Sequence, residues 1–142
     1  MWHRNPLTYI VALIVFVVYD YVANLPKAQS VANDLKQELA AIMPLPKAVP
    51  LDHHEVIKPR EVLVGSEYAT SQSYSEIRRY YDQELAQHGW AFYREEEVRD
   101  WGRNLGGRIA HYRKRGYTAS LQYAGERAND SWNFALDLSW GP

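Results

Sequence analysis

Basic and aromatic side chains are interspersed between residues 98 and 117, and this run has the clearest capacity for recognition chemistry in the sequence. Six cations share the run with one acid, Asp100, and three aromatic residues lie among them. Arginine pairs with carboxylates through its planar fork and stacks on rings, so arginine with aromatics is typical of binding surfaces. The simpler interpretation is a solvated hairpin and loop. The residues that we predict to contact a partner are Arg103, Arg108, Tyr112, Arg113, Lys114, Arg115 and Tyr117.

The charges around this run limit the class of partner. Residues 95–97 are all glutamate, which weakens any positive field directed at phosphate, and the whole chain has a net charge of −1. Nucleic acid is therefore not expected as a partner. An anionic surface of another protein fits the run, and membrane headgroups are the alternative.

His111 is the only histidine inside the predicted sheet, so a hydrolase that uses His111 is one functional alternative. Carboxylates at residues 95–97 and at Asp100 precede it by 11 to 16 residues, and a strand face can bring one of them to it. The chain has no cysteine, which excludes a thiol nucleophile and disulfides. No glycine-rich loop precedes a helix in the way that phosphate binding needs. We expect no catalytic residue and no cofactor.

Two adjacent histidines at His53 and His54, followed by Glu55, raise the question of a metal site. Neighbouring side chains point in different directions in an extended chain, so a metal here needs two further ligands from elsewhere. We expect a solvated segment and no bound metal.

An apolar run near the N-terminus is the element that positions the rest. Residues 7–19 carry no charge, and after Asp20 the apolar character continues to Leu25. As a helix, residues 7–25 cover about 28 Å, close to the hydrocarbon thickness of a bilayer. We predict a transmembrane anchor over 7–25. A cleaved signal peptide fits less well because its best site, Ala28-Gln29-Ser30, lies far beyond the run. A buried core helix fits less well because the run is apolar on every side.

The charges flanking the anchor predict its orientation. Arg4 precedes it, whereas Asp20 and Lys27 follow. The positive-inside rule then makes residues 1–6 a cytoplasmic tail and places the C-terminal domain outside. In a Gram-negative bacterium, this describes a single-pass protein of the inner membrane with a periplasmic domain.

Two segments connect the anchor to the domain. Residues 26–43 predict a membrane-proximal amphipathic helix, because its apolar residues recur at intervals of 4, 4 and 3. This stripe either packs on the folded domain or forms a parallel homodimer seam; it consists of Val31, Leu35, Leu39 and Ile42. Residues 44–60 contain four prolines, which predict an extended linker that holds the domain some tens of Å from the bilayer.

Residues 61–142 predict a two-layer α+β domain. A short strand over 61–65 precedes a helix over 74–88 that begins at a capping box, Ser73 with Glu76. Three or four strands follow, with a loop at 102–107, and the last strand has the clearest alternation of apolar and polar residues. The order is β-α-β-β-β-β, with one helix packed on an antiparallel sheet. The apolar face of the last strand comprises Trp132, Phe134, Leu136, Leu138 and Trp140.

Residues 61–141 resemble small membrane-anchored domains of the bacterial envelope. The resemblance lies in the serine-capped helix that ends in Gly89-Trp90, the hairpin around Gly116-Tyr117, and the final strand that ends at Trp140. It implies a fold and an envelope setting, and it carries no catalytic residue. We therefore expect a membrane-tethered protein-binding module or an accessory subunit of an envelope complex. A membrane-anchored immunity protein against a toxin is the alternative.

Overall fold

The structure, a computed structural model, describes residues 6–142 and has an α+β fold. A long helix precedes a hairpin, a second helix and a four-strand meander. The elements are α1 (Pro6–Ala41), β1 (Val49–Lys58), β2 (Glu61–Ala69), α2 (Tyr74–Gln87), β3 (Ala91–Asp100), β4 (Arg103–Lys114), β5 (Tyr117–Tyr123) and β6 (Phe134–Trp140).

All six strands form one open antiparallel sheet in the order β1-β2-β6-β5-β4-β3. The meander from β3 to β6 is local in sequence, whereas β2 pairs with β6 across a long separation, with Val64 opposite Leu138. This confirms the predicted α+β class with an antiparallel sheet and adds one strand that the sequence pattern does not predict.

The added strand is β1, and it corrects the linker predicted over 44–60. Residues 49–58 pair along their whole length with β2. Proline is tolerated here because β1 is at the edge of the sheet, and the register shifts between Pro50 and Asp52 where a ladder hydrogen bond is lost. Leu45, just before the strand, is buried in the core. The segment is therefore part of the domain and does not separate it from α1.

The predicted anchor and the predicted membrane-proximal helix form one continuous helix, α1. Pro26 lies inside it, and the helix runs through to Ala41. On the N-terminal side of Pro26, the side-chain amide of Asn24 donates to the backbone carbonyl of Asp20, 2.9 Å away. One part of the predicted tail, residues 1–5, lies outside the described residues.

Both helices cover the same face of the sheet. The second half of α1 buries one side, including Val31 and Leu35, while α2 buries Ile77, Tyr81 and Leu85. Their common target is the set of alternate strand residues that are no more than 2% exposed, namely Val62, Val64, Ala110, Tyr112, Ala119, Leu121, Phe134, Leu136 and Leu138. This makes a single core of one sheet face and two helices, and the packing of Val31, Leu35 and Ile42 agrees with the first of the two alternatives for that stripe.

The start of α2 confirms the capping box. Ser73 accepts a hydrogen bond from the backbone N–H of Glu76, and the Glu76 carboxylate accepts one from the backbone N–H of Ser73 at 2.7 Å. Two orphan donors at the helix N-terminus are thus satisfied. Gly89 follows the helix with a φ of 82°, the left-handed conformation that a glycine adopts without cost.

Two segments of the meander differ from the prediction. Residues 103–107, predicted as a loop, belong to β4, because β3 is long enough to pair with them down to Asp100 opposite Arg103. A two-residue turn, Trp101 and Gly102, closes this hairpin with both φ angles positive. Trp132 precedes β6 and is half-buried, so the buried face of that strand begins at Phe134.

Candidate functional site on the open face of the sheet

Side chains alternate between the two faces of a strand, so the residues between the core positions point away from both helices. No helix of the described chain, residues 6–142, covers that second face, which we term the open face. Polar residues dominate its middle. The open face is therefore the surface on which the domain is able to present functional groups.

One line of residues crosses the whole open face. Strand register places His54 opposite Gly65, Gly65 opposite Asp137, and Asp137 opposite Ser120. The line continues with Ser120 opposite His111 and His111 opposite Arg94. We call these six positions the polar row; they are His54, Gly65, Asp137, Ser120, His111 and Arg94.

At one end of the polar row, His54 and Asp137 meet across the strand between them. Nε2 of His54 donates to Oδ1 of Asp137 at 2.8 Å. Gly65 makes this contact possible, because a Cβ at residue 65 would overlap Oδ1 of Asp137 and lie 2.6 Å from Nε2 of His54. Burial raises the pKa of Asp137, and the charge of His54 opposes that rise. The two side chains can thus meet over Gly65 because that residue has no side chain.

In the middle of the row, three side chains form a hydrogen-bonded chain. His111 donates from Nε2 to Oε1 of Glu96 at 2.9 Å, which leaves Nδ1 to accept from the hydroxyl of Ser120 at 3.3 Å. The bond from His111 holds the pKa of Glu96 below its usual value. Only 12% of the His111 side chain is exposed, so neighbouring strands fix the ring.

At the other end of the row, an arginine lies on an aromatic ring. The guanidinium of Arg113 is 3.8 Å from the ring centroid of Tyr93, and that of Arg94 is 5.7 Å away. Arg94 also pairs with Glu96 at 3.6 Å. Tyr93 remains 38% exposed. This end therefore offers a preformed stack of the residue types that are frequent at the centre of interfaces.

The order of hydroxyl, imidazole and carboxylate in Ser120, His111 and Glu96 is that of an activated nucleophile. Acyl transfer also needs donors that receive the developing oxyanion. Ser120 lies within β5, which pairs with β4 on one side and β6 on the other. The backbone N–H groups around Ser120 are therefore used in the sheet ladder. An oxyanion formed at Ser120 would therefore need donors other than these backbone groups.

The basic and aromatic residues predicted as one contact surface are distributed over different parts of the domain. Arg113 lies on the open face, beside the polar row. Lys114 and Tyr117 point to the covered side, where Lys114 pairs with Glu38 at 2.6 Å and the Tyr117 hydroxyl donates to Asp34 at 3.5 Å. With Arg115 they line a groove of about 630 Å³ beside α1.

Tyr112 is in the core, which corrects its assignment as a contact residue. It is 1% exposed. Its hydroxyl donates to Oδ1 of Asp82 at 2.7 Å and accepts from Nε of Arg78 at 2.9 Å. Burial raises the pKa of Tyr112, and the hydrogen bond to Asp82 raises it further. Tyr112 thus fastens α2 to β4.

Arg103 and Arg108 are also separated from the predicted hairpin tip. Arg103 is at the opposite end of β4 from Lys114, about 36 Å away at the rise of an extended strand. It pairs with Asp100. Arg108 pairs with Glu95 at 3.3 Å and lies over the ring of Tyr74, on the covered side. Neither is adjacent to Arg115.

The stripe on α1 packs within the chain. Val31, Leu35 and Ile42 are no more than 8% exposed, and Leu39 packs against the same core. The sheet thus occupies the surface that the alternative assigned to a homodimer seam. A dimer through these residues would require the domain to open.

Three residues of this region are candidates from the sequence: Arg113, His111 and, among the carboxylates at 95–97, Glu96, which the structure brings to His111. The sequence pattern assigns His54 to a linker. Asp137 and Ser120 occupy polar positions in strands where apolar and polar residues alternate. This alternation predicts exposure to solvent and does not indicate a functional site. The two residues become neighbours because β6 lies beside β5, and the local pattern does not specify the order of the strands.

Within residues 6–142, no three histidine, aspartate or glutamate side chains are grouped closely enough to hold a metal ion. Comparison with family models, with curated proteins and with solved structures gives no match for this chain.

Proposed function

We propose that this protein is a single-pass, membrane-tethered binding module that presents the open face of its sheet to another protein. The observation that carries the proposal is the polar row. Its groups are ordered by contacts between strands, yet neither helix covers them. Groups that are ordered before binding lose little conformational entropy when a partner docks.

The apolar half of α1 supports the tether. One N-terminal helix is long and apolar enough to cross a membrane. Its large apolar residues from Leu7 to Val22 are at least 53% exposed, on every side of the helix. Sixteen residues of helix span about 24 Å, somewhat less than the hydrocarbon thickness.

The charges that flank the apolar run support the proposed orientation. Arg4 precedes the run, and the positive-inside rule favours a cytoplasmic N-terminus. In a Gram-negative bacterium, this orientation corresponds to an anchor in the inner membrane and a periplasmic domain. An accessory subunit of an envelope complex is the role that such an arrangement fits.

The stacked end of the polar row is the proposed centre of docking. Arg113 on Tyr93 presents a planar cation and a ring whose geometry is already set. Tyrosine and arginine often contribute most of the binding energy at interfaces. The His54–Asp137 pair lies at the opposite edge and adds polar contacts at the rim.

Topology is tested with fusions in a bacterial host. Alkaline phosphatase joined to the C-terminus should be active, because the enzyme folds only outside the cytoplasm. Green fluorescent protein at the same position should be dark. The reverse pair of results would place the domain in the cytoplasm and overturn the orientation.

Docking is tested with a photo-crosslinking benzoylphenylalanine in native membranes. At position 93 it should give one discrete adduct, which Arg113→Glu abolishes while leaving the fold intact. The matched control is position 83, on the exposed side of α2. Equal adducts at both positions, or none at position 93, would rule out docking at this end of the open face.

A further inference from the structure

A second surface lies where the domain meets the apolar half of α1. Two turns and the C-terminus lie close together there: the β1–β2 turn at 58–61, the β4–β5 turn at 114–117 and residues 140–142. Strand register brings these ends together, since Thr118 is opposite Ser139 and Val62 is opposite Trp140. We call this surface the basal end. The β3–β4 turn, with Trp101, is at the opposite, distal end.

An ion pair fixes the height of the basal end on α1. Arg60, at the β1–β2 turn, pairs with the carboxylate of Asp20, and Nε of Arg60 donates to Oδ1 at 3.1 Å. Asp20 directly follows the uncharged apolar run. The pair also raises the pKa of Arg60, mainly through its hydrogen bond to Asp20. Any bilayer that surrounds residues 7–19 therefore reaches the base of the domain.

A cleft opens at the basal end beside the next turn of α1. It measures about 530 Å³ and is lined by Asn24, Lys27, Arg60, Gly116, Trp140, Gly141 and Pro142. The ammonium of Lys27 is 5.2 Å from the ring centroid of Trp140. Tryptophan beside a cation is the composition that membrane proteins place at the level of the headgroups.

Charge at the basal end is mostly positive. Lys58 pairs with Glu61 at 3.0 Å, and Arg60 pairs with Asp20. Lys27 and Arg115 have no ion pair within residues 6–142 and are exposed. Two cations are thus available to an anion that approaches from the membrane side.

We infer that the basal end lies in the headgroup layer and that its cleft binds the phosphate of a lipid headgroup through Lys27. The inference rests on the membrane tether of the proposed function. Lys27 follows Asp20 by seven residues, about 10 Å along the helix, so it lies in the headgroup layer when the hydrocarbon ends near Asp20. The domain is then held against the bilayer by its basal end.

The test uses the full chain in vesicles of phosphatidylcholine mixed with phosphatidylglycerol. Because the chain has no cysteine, a fluorophore can be placed at one position at a time. Labels at Lys58→Cys and Arg115→Cys report on the basal end, and labels at Trp101→Cys and Asn104→Cys report on the distal end. A lipid with a nitroxide on its headgroup quenches nearby labels.

Quenching should be strong at positions 58 and 115 and essentially absent at 101 and 104, since β4 separates the two ends by about 36 Å. Lys27→Glu should weaken the quenching at 115, whereas Lys47→Glu, the same charge change away from the cleft, should not. Inorganic phosphate added outside the vesicles should leave quenching unchanged, because the ligand is part of a lipid.

The outcomes separate this inference from the tether itself. If the protein floats with the vesicles but all four labels remain unquenched, the basal contact is overturned while the tether stands. If the protein does not float, the tether and the basal contact both fail. If Lys27→Glu and Lys47→Glu behave alike, the cleft is not the phosphate site.

Discussion

The two faces of the sheet are built by neighbouring residues of the same strands, yet they form opposite environments. On the covered face, Val64, Leu138, Ala119 and Tyr112 form one transverse line, and each is at most 1% exposed. The adjacent line, one residue away on each strand, lies on the open face and consists of Gly65, Asp137, Ser120 and His111. The first line supplies the core and the second supplies the candidate site.

The core on the covered face determines which residues are neighbours in the candidate site on the open face. A one-residue slip in any strand would move its apolar side chains into solvent and its polar ones under the helices. Apolar burial on the covered face therefore enforces the register that brings His54 to Asp137 and Ser120 to His111. The contacts between polar residues on the open face are therefore not needed to set the strand register.

The largest expected difference between the faces is in leucine truncation. Leu136→Ala, on the covered face, should lower the free energy of unfolding by about 2–5 kcal/mol, because it removes apolar contacts and leaves a cavity. Leu63→Ala is the matched change on the open face, where the side chain is only half-buried. Leu63→Ala should lower the free energy of unfolding by a clearly smaller amount. Urea unfolding of the full chain in detergent measures both, and equal losses would show that the faces do not differ.

A smaller change in the free energy of unfolding is expected when a side chain is added at Gly65, in the polar row. Gly65→Ala should destabilise the fold by about 1–3 kcal/mol, since the new Cβ displaces His54 or Asp137 and leaves a partly buried carboxylate without its donor. Ser66→Ala, the next residue, is the control. The cost of Gly65→Ala should shrink in a His54→Ala background. An undiminished cost there would mean that the pair is not what Gly65 accommodates.

The smallest effect is a change in one pKa. His111→Gln should raise the pKa of Glu96 back toward its ordinary value, because the wild-type hydrogen bond from His111 lowers it. A lowered pKa in the folded state adds stability above the unfolded pKa, and this is lost as pH falls through the folded value. Carbon-detected NMR titration of Glu96 measures the shift, with His53→Gln as control. An unchanged titration would remove His111 from the chain of contacts.

Local patterns in the sequence predict a large part of this fold. The apolar run before Asp20 predicts a helix that can span a membrane. Ser73 and Glu76 predict the start of α2, and alternation predicts the burial of Phe134, Leu136 and Leu138. Each depends on residues within one or two turns of a helix or along one strand, so neighbouring residues contain the information.

Tertiary structure alone decided the rest. The prolines of 44–60 predict a spacer, but pairing with β2 makes an edge strand, where a missing N–H is tolerated. Tyr112 lies among basic residues in the sequence, which suggests a surface position, and only the packing of α2 buries it. The polar row needs β2 beside β6 and β6 beside β5, and no local pattern specifies that order. Both helices, most strands and the apolar character of the N-terminal half of α1 can be predicted from local sequence. Packing of α1 and pairing between distant strands decided which polar residues meet, because contacts between sequence-distant groups form only when the whole core does.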